Sequence, residues 1–318
     1  MRLKKRRTPT GPPGRRAPAA AATSPFYRVG DKSASQRSSS GIIPLIDCHG
    51  FTEVGKRRKE NEDAFLLTAL PMGRELRLNE DPDGERLVPS PGQTGFLLLV
   101  ADGIGGAPCG ERASSMAVKS LSGYLKRESR LLNAGRTEIL RALRQGVHQC
   151  ESELQAEVER RPECEGMSST LTGILSLARR FYIVHSGDSR CYLLRGSTLT
   201  LLTDDHSQAQ LEIDAGTMDR EAARKAPGGN SLWNFLASDY SRRSPDLGSM
   251  PLEPGDLFLL CTDGVSDALT PEDLQRHLSI RASAESICNS VIDKAREDGG
   301  GDDLTAIVAR FGAAAGQA

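Results

Sequence analysis

Four short apolar runs, 170–177, 181–184, 191–194 and 198–202, follow one another with gaps of only a few residues. No crossover helix fits in such gaps, so each strand must turn back on its neighbour, and the spacing predicts an antiparallel meander. Further runs at Ala64–Leu67, Phe96–Val100, Leu257–Cys261 and Thr305–Ala309 read as strands on the same grounds. Between them the apolar period changes to three or four residues. Leu140, Leu143, Val147, Cys150, Leu154 and Val158 form one stripe, Ala113, Ala117, Leu121 and Leu125 a second, and Ala284, Ile287, Cys288, Val291 and Ala295 a third. Thr270-Pro271-Glu272-Asp273 reads as an N-cap, a first-turn proline and two acids favoured by the helix dipole. Helices with one apolar face must cover sheets of this kind, which predicts a layered α+β domain.

The 318 residues carry a net charge of −1, but the distribution is uneven. Residues 1–40 hold ten basic residues against the single acid Asp31, so this stretch is +9 and the remainder −10. It is rich in Pro, Ala and Ser and too poor in large apolar groups to offset its own ordering entropy, so we read it as a disordered basic tail. Its composition also resembles an organelle transit peptide, and it would serve as an electrostatic arm for nucleic acid or anionic lipid. The sequence then divides into this tail, a single domain over 41–312 and a short C-terminal tail over 313–318. Residues 73–95, polar and rich in Pro and Gly, read as a long surface excursion between two strands. The seven cysteines are scattered without a Cys-x-x-Cys pair, which argues against a disulfide scaffold or a structural zinc site and favours a reducing, cytoplasmic setting. No apolar run approaches the roughly 20 residues of a membrane helix.

Chemistry concentrates where acids stand at strand ends. Asp102-Gly103 closes the run from Phe96, and Asp263-Gly264 closes the run from Leu257. Asp302-Asp303 leads into Thr305–Ala309, Glu62-Asp63 precedes Ala64, and Asp188 follows Phe181–Val184. Singly, an Asp-Gly is a common turn dipeptide. Five acidic groups at strand ends of one domain would repel each other unless a cation compensated them. An all-oxygen set without His or Cys selects Mg²⁺ or Mn²⁺ over zinc, and two such ions are the usual device for attacking a phosphate ester. A guanidinium nearby would grip the phosphate through two hydrogen bonds, and Arg58, four residues before Glu62, is placed for it. The chain has no Gly-x-x-x-x-Gly-Lys-Ser/Thr loop, no kinase His-Arg-Asp and no Gly-x-Ser-x-Gly elbow.

In order, Arg58-Lys59-Glu60-Asn61-Glu62-Asp63, Ala101-Asp102-Gly103-Ile104-Gly105-Gly106 with Gly110-Glu111, Gly166-Met167-Ser168-Ser169-Thr170, Gly187-Asp188-Ser189-Arg190, Leu202-Thr203-Asp204-Asp205-His206-Ser207, Cys261-Thr262-Asp263-Gly264-Val265-Ser266-Asp267 and Gly301-Asp302-Asp303-Leu304-Thr305 resemble the metal-dependent protein phosphatases, the type 2C serine/threonine phosphatases. The resemblance spans roughly 45–311. It implies an antiparallel β-sandwich flanked by helices in four layers, α-β-β-α, with a metal cleft at one end. It further implies two Mg²⁺ or Mn²⁺ ions, with Asp102 bridging them, Glu62 and the Gly103 carbonyl completing one site, and Asp263 and Asp302 holding the other ion. Asp63, behind these ligands, would hydrogen-bond waters on the metals, Asp303 would add negative charge near them and tighten or shift metal preference, and Asp188 and Asp267, with Asp263, match a weaker third site. Arg58 would bind the substrate phosphate.

Residues 207–240 match the family's flap beside the cleft, with Gly228, Gly229, Asn230 and Trp233 in it, although a tryptophan more often buries its ring than offers it to a substrate. Thr262 replaces a common Ser, Ser168 a common Gly and Asp303 a common Asn. Ile104 replaces the His of many eukaryotic members, which suggests a bacterial-type enzyme. His185 reads as a satisfied core histidine, Cys261 as buried filler and His206 as a loop anchor. The implied activity is hydrolysis of phosphoserine and phosphothreonine in proteins, with the substrates of a Ser/Thr kinase as partners, no sequence-specific nucleic acid and a monomeric state. The alternatives are a non-catalytic phosphoprotein-binding module of the same fold, or a phosphatase of the branch that acts on anti-sigma-factor antagonists.

Overall fold

The computed structural model describes residues 45–70, 85–86, 95–104, 108–177, 179–219, 222, 228–239 and 244–312. The predicted tails over 1–40 and 313–318 and most of the excursion over 73–95 lie outside these residues. Thirteen strands are described: β1 (Leu45–Glu53), β2 (Asp63–Leu70), β3 (Glu85–Arg86), β4 (Gly95–Asp102), β5 (Ser168–Ser169), β6 (Leu171–Leu177), β7 (Arg180–Ser186), β8 (Arg190–Arg195), β9 (Thr198–Leu201), β10 (Leu236–Ala237), β11 (Asp246–Pro251), β12 (Leu257–Cys261) and β13 (Leu304–Gly312). The α-helices are α1 (Gly110–Arg127), α2 (Arg136–Arg160), α3 (Gln208–Asp214), α4 (Asp263–Ala268), α5 (Pro271–Leu278) and α6 (Ala284–Asp298). Among the described residues no helix is long and apolar enough to cross a membrane.

Strand pairing makes two large antiparallel sheets, β3-β1-β13-β12-β8-β9 and β11-β7-β6-β4-β2, with a small β10-β5 pair beside them. In β4 the period-two alternation sends Phe96, Leu98 and Val100 to one face and Leu97, Leu99 and Ala101 to the other, and both sets are buried. The first set meets Phe65, Phe181, Phe258, Ile307 and Phe311 between the two sheets. Edge-to-face ring pairs Phe181–Phe258 at 4.8 Å and Phe96–Phe311 at 6.2 Å join the two sheets, and Phe258–Phe311 at 5.7 Å links neighbouring strands of one of them. The second set packs under α1 and α2 through Ala113, Ala117, Leu121, Leu143, Val147 and Leu154. On the other side, Leu257, Leu259 and Cys261 meet Leu274, Ile287, Val291 and Ala295 from α5 and α6. The result is the four-layer α-β-β-α sandwich.

The predicted strands and helices are present, and Thr270 caps α5 as expected, accepting from the Asp273 amide at 3.1 Å. The single meander over 170–202 is not. β6 pairs with β7, and β8 with β9, but these hairpins belong to different sheets. The chain crosses between them at Gly187, whose φ of +113° is open to glycine and strained for other residues. β1 and β11 carry too many polar residues or glycines to stand out as apolar runs, and each gains its place by pairing, with β13 and β7 respectively.

Candidate active site

Sheet register gathers the acids. Asp63 opens β2 and is paired across the ladder with Asp102, which ends β4. β12 and β13 are antiparallel with Cys261 opposite Ala306, so Asp263, just beyond β12, and Asp302, just before β13, emerge from the same end of their sheet. Arg190 pairs with Cys261 at that end, which brings the preceding Asp188 alongside. Five acids far apart in sequence therefore share one end of the sandwich.

Hydrogen bonds to neighbouring segments fix Asp102, Asp63 and Asp303. The Asp102 amide donates to Thr170 Oγ1 at 2.9 Å, and its carbonyl accepts from the Thr170 amide at 2.8 Å and from Ser169 Oγ at 2.9 Å. Thr262 Oγ1 donates to Asp63 Oδ2 at 2.7 Å. The extra acid Asp303 is buried, and its two oxygens accept from the amides of Gly55 and Glu62, each at 2.8 Å. Its charge thus holds the loop that carries Arg58 and Glu62 and is not directed into the cleft. Glu62, Asp102, Asp263 and Asp302 are half-buried, and Gly103 is buried. Gly103 and Gly110 touch so closely that a Cβ on Gly103 would lie 2.3 Å from the Gly110 carbonyl.

Burial, and then mutual repulsion, raises the pKa values of Asp63, Asp102, Asp188 and Asp263. Burial, followed by the charges of Asp263 and Asp303, lifts Asp63 to about 8 against the partial relief of its threonine hydrogen bonds. Burial and the Asp267 and Asp302 charges lift Asp263 to about 6. Asp102 is pushed well up by burial and by Asp63, Asp263, Asp188 and Asp302. Asp188 rises through burial, then through Asp263 and Asp205. Arg58 supplies the compensating charge: Nε and Nη2 donate to Asp302 at 2.6 and 2.9 Å, and Nη1 to Glu62 at 3.1 Å.

The donor set fits hard divalent cations. It is all oxygen, and the buried Asp263 Oδ1 has no hydrogen-bond partner. Among the described residues no three acidic, histidine or cysteine side chains yet close on one point as a metal cage does. Arg58 bridges Glu62 and Asp302, the two acids that the resemblance assigns to different ions.

The resemblance gave roles to neither Arg190 nor Cys109 and Cys164. Arg190 clamps Asp205 through two nitrogens, at 2.6 and 2.9 Å, and so ties the start of β8 to the segment before the flap. His206 is an anchor: its amide donates to the Gly187 carbonyl at 2.8 Å and its Nδ1 accepts from the Gly187 amide at 3.1 Å. Its carbonyl accepts from the Trp233 amide at 2.9 Å. Trp233 is 48% exposed, contrary to the expectation of a buried ring, and meets the His206 ring at 4.7 Å in a tilted contact. His185 is buried, with Nδ1 2.9 Å from the Thr172 hydroxyl and Nε2 2.9 Å from the Asp204 carbonyl. Cys261 is buried and unpaired. Cys109 and Cys164, however, form a disulfide, with Cα atoms 5.5 Å apart. No local pattern signals it, because it depends on α1 and α2 packing antiparallel, which sets the residue before α1 beside the turn after α2.

A helix-flanked sandwich with carboxylates gathered at one end is the architecture of the metal-dependent phosphatases. The chain belongs to the protein phosphatase 2C family, whose profile matches residues 88–304. It is 36% identical over 213 residues to the serine/threonine protein phosphatase PstP of Mycobacterium tuberculosis, a match covering 67% of this chain and 40% of that protein. It therefore spans less than half the length of that relative. The serine/threonine phosphatase stp of Listeria welshimeri is 31% identical over 212 residues, covering 67% of this chain and 83% of that protein. The solved catalytic domain of PstP, in complex with two manganese ions, superposes with a TM-score of 0.65 at 29% identity, over 85% of this chain and 99% of that one.

Proposed function

We propose that this chain is a divalent-metal-dependent phosphatase that hydrolyses phosphoserine and phosphothreonine in proteins. What carries the reading is the set of acids gathered at one end of the sandwich, with Arg58 as counter-charge to Glu62 and Asp302. Family membership and relatives named as serine/threonine phosphatases support it. Asp102 would bridge two Mg²⁺ or Mn²⁺ ions, with Glu62 and the Gly103 carbonyl on one and Asp263 and Asp302 on the other. Asp188 and Asp267, with Asp263, would form a weaker third site. Such ions, when bound, polarise the phosphate ester and make water more acidic.

The chain's own groups do the rest. Arg58 leaves Asp302 and Glu62 and takes the phosphate oxygens through the same two-pronged geometry. Asp63 and Asp303, set behind the ligands, keep β2 and the 55–62 loop in register. Ile104 offers no proton, so solvent protonates the departing alkoxide. Substrates are phosphorylated side chains of other proteins, the products of a Ser/Thr kinase. The protein acts as a cytoplasmic monomer; its five buried free cysteines fit a reducing setting, while the Cys109–Cys164 disulfide does not.

The test is phosphate release from a phosphothreonine peptide in EDTA, Mg²⁺ or Mn²⁺, beside Asp263→Asn. Release with metal, absent in EDTA and in the variant, is expected. A folded protein inactive with either metal, or a variant as active as the parent, overturns the reading.

A further inference from the structure

The Cys109–Cys164 disulfide lies beside the metal cleft and joins the two chain segments that hold its floor. Cys109 is the N-cap of α1, in a left-handed conformation with φ of +60°. Its successor Gly110 packs against Gly103, and a Cβ on Gly110 would lie 2.5 Å from Glu62 Oε1. Cys164 closes the short turn after α2, and its carbonyl accepts from the Met167 amide at 2.9 Å. That turn leads directly into Ser168, Ser169 and Thr170. The Ser168 carbonyl accepts from the Ile104 amide at 3.1 Å, and Ser169 and Thr170 grip the Asp102 carbonyl. One covalent bond thus ties the wall behind Glu62 to the cradle of Asp102-Gly103.

Accessibility is also asymmetric. Cys164 is buried at 2%, whereas Cys109 is half-buried, so a reductant approaches from the Cys109 side. The other five cysteines are buried at 1% or less and unbonded, which confines exchange to this pair.

We propose that Cys109–Cys164 is a thiol–disulfide exchange site that sets the cleft's affinity for divalent ions, with a protein or small-molecule dithiol as its reductant. This rests on the metal reading above. A thiolate of the dithiol attacks one sulfur, the Cys109–Cys164 bond breaks, and a mixed disulfide forms. The second thiol then displaces it, so that the dithiol leaves as its own disulfide. Two electrons and two protons end on Cys109 and Cys164. With the bond open, the N-terminus of α1 is no longer anchored to the 164–170 segment. Gly110 then loses its fixed position against Glu62 and Gly103.

The experiment measures Mn²⁺ binding to the full chain, by the electron paramagnetic resonance signal of free Mn²⁺, in three states. These are the protein as oxidised, the protein reduced by a water-soluble phosphine and desalted, and Cys109→Ser/Cys164→Ser. The phosphine becomes its oxide, taking oxygen from water while the two protons go to the thiols. Reduction is expected to weaken binding by about tenfold, as loss of support behind metal ligands does. Reoxidation restores it, and the double variant stays weak whether or not phosphine is added. Equal affinity in the oxidised and reduced parent overturns the proposal, as does alkylation of Cys109 and Cys164 in the oxidised sample. If the double variant does not fold, the reduced and reoxidised parent decides alone. Absence of Mn²⁺ binding in every state sinks the metal reading itself, and is distinguished from a failed switch by that uniformity.

Discussion

His185 gives the fold an acid-sensitive point whose size follows from its surroundings. Burial and the neighbouring His206 ring, 4.6 Å away, push its pKa down to about 3, against opposing pulls from Asp246, the Asp204 carbonyl and Asp205. In the unfolded chain a histidine titrates near 6.5. Below that pH the unfolded state takes up a proton that the folded state refuses, so stability falls with falling pH until the folded pKa is reached. Between pH 6.5 and 5.0 the loss is about 2 kcal/mol, at about 1.4 kcal/mol for each pH unit. The cleft acids work the other way, because Asp63, Asp102 and Asp188 have raised values and gain stability on protonation. Only a difference isolates His185. Urea unfolding of the parent and of His185→Gln in EDTA, at pH 7.5 and 5.0, supplies it. Gln loses one contact and costs about 1–2 kcal/mol at pH 7.5. By pH 5.0 that deficit should shrink by about 2 kcal/mol and vanish or invert. A deficit that does not change with pH would refute the buried neutral imidazole.

Arg58→Ala should lower kcat/KM for a phosphopeptide about tenfold to a hundredfold, the worth of a charge-assisted pair, read from initial rates in saturating Mn²⁺. Gly110→Ala should leave the circular dichroism spectrum and melting temperature near the parent's, because the atom it meets is the far end of Glu62, yet weaken Mn²⁺ binding about tenfold in the same resonance titration. Phe258→Ala, at a fully buried position between Phe181 and Phe311, should cost about 3–5 kcal/mol in urea unfolding with no change in Mn²⁺ affinity per folded molecule.

The apolar runs announced their strands because β4 and β12 are buried on both faces and need no polar partner on either. The same argument hid β11, where Asp246, Gly248 and Ser249 sit in a strand only because β7 offers a free edge. Sheet membership was equally out of reach for β7 and β8, since the decision is made by the geometry at Gly187 and not by apolar content. In the site, the acids were legible as strand-end residues. What the spacing did not carry is their division of labour: Asp302 and Asp303 are neighbours in sequence, but one faces Arg58 and the other is used up on the Gly55 and Glu62 amides. The Cys109–Cys164 bond was invisible for a related reason, because it depends on α1 and α2 packing antiparallel and not on any local pattern.

A cluster of acids with raised pKa values is a source of instability, and the fold places its restraint elsewhere. Asp63 and Asp102 cannot separate without breaking the β2–β4 ladder, which is buried along its length. Asp263 and Asp302 are held in the same way by β12 and β13 over the phenylalanine core. The acids therefore stay together because moving them apart would expose the sandwich, whose burial is worth about 1.5–3 kcal/mol for each large side chain. Arg58 makes its ion pairs with the outer acids, Glu62 and Asp302, while burial keeps the pKa values of the inner acids Asp63, Asp102 and Asp263 raised. On the proposed metal reading, the inner cleft has most to gain from cations, and Arg58 would be the group they release. On the proposed reading, the residue that offsets these acids would then be free for phosphate, through the same charge that prepares the site for chemistry.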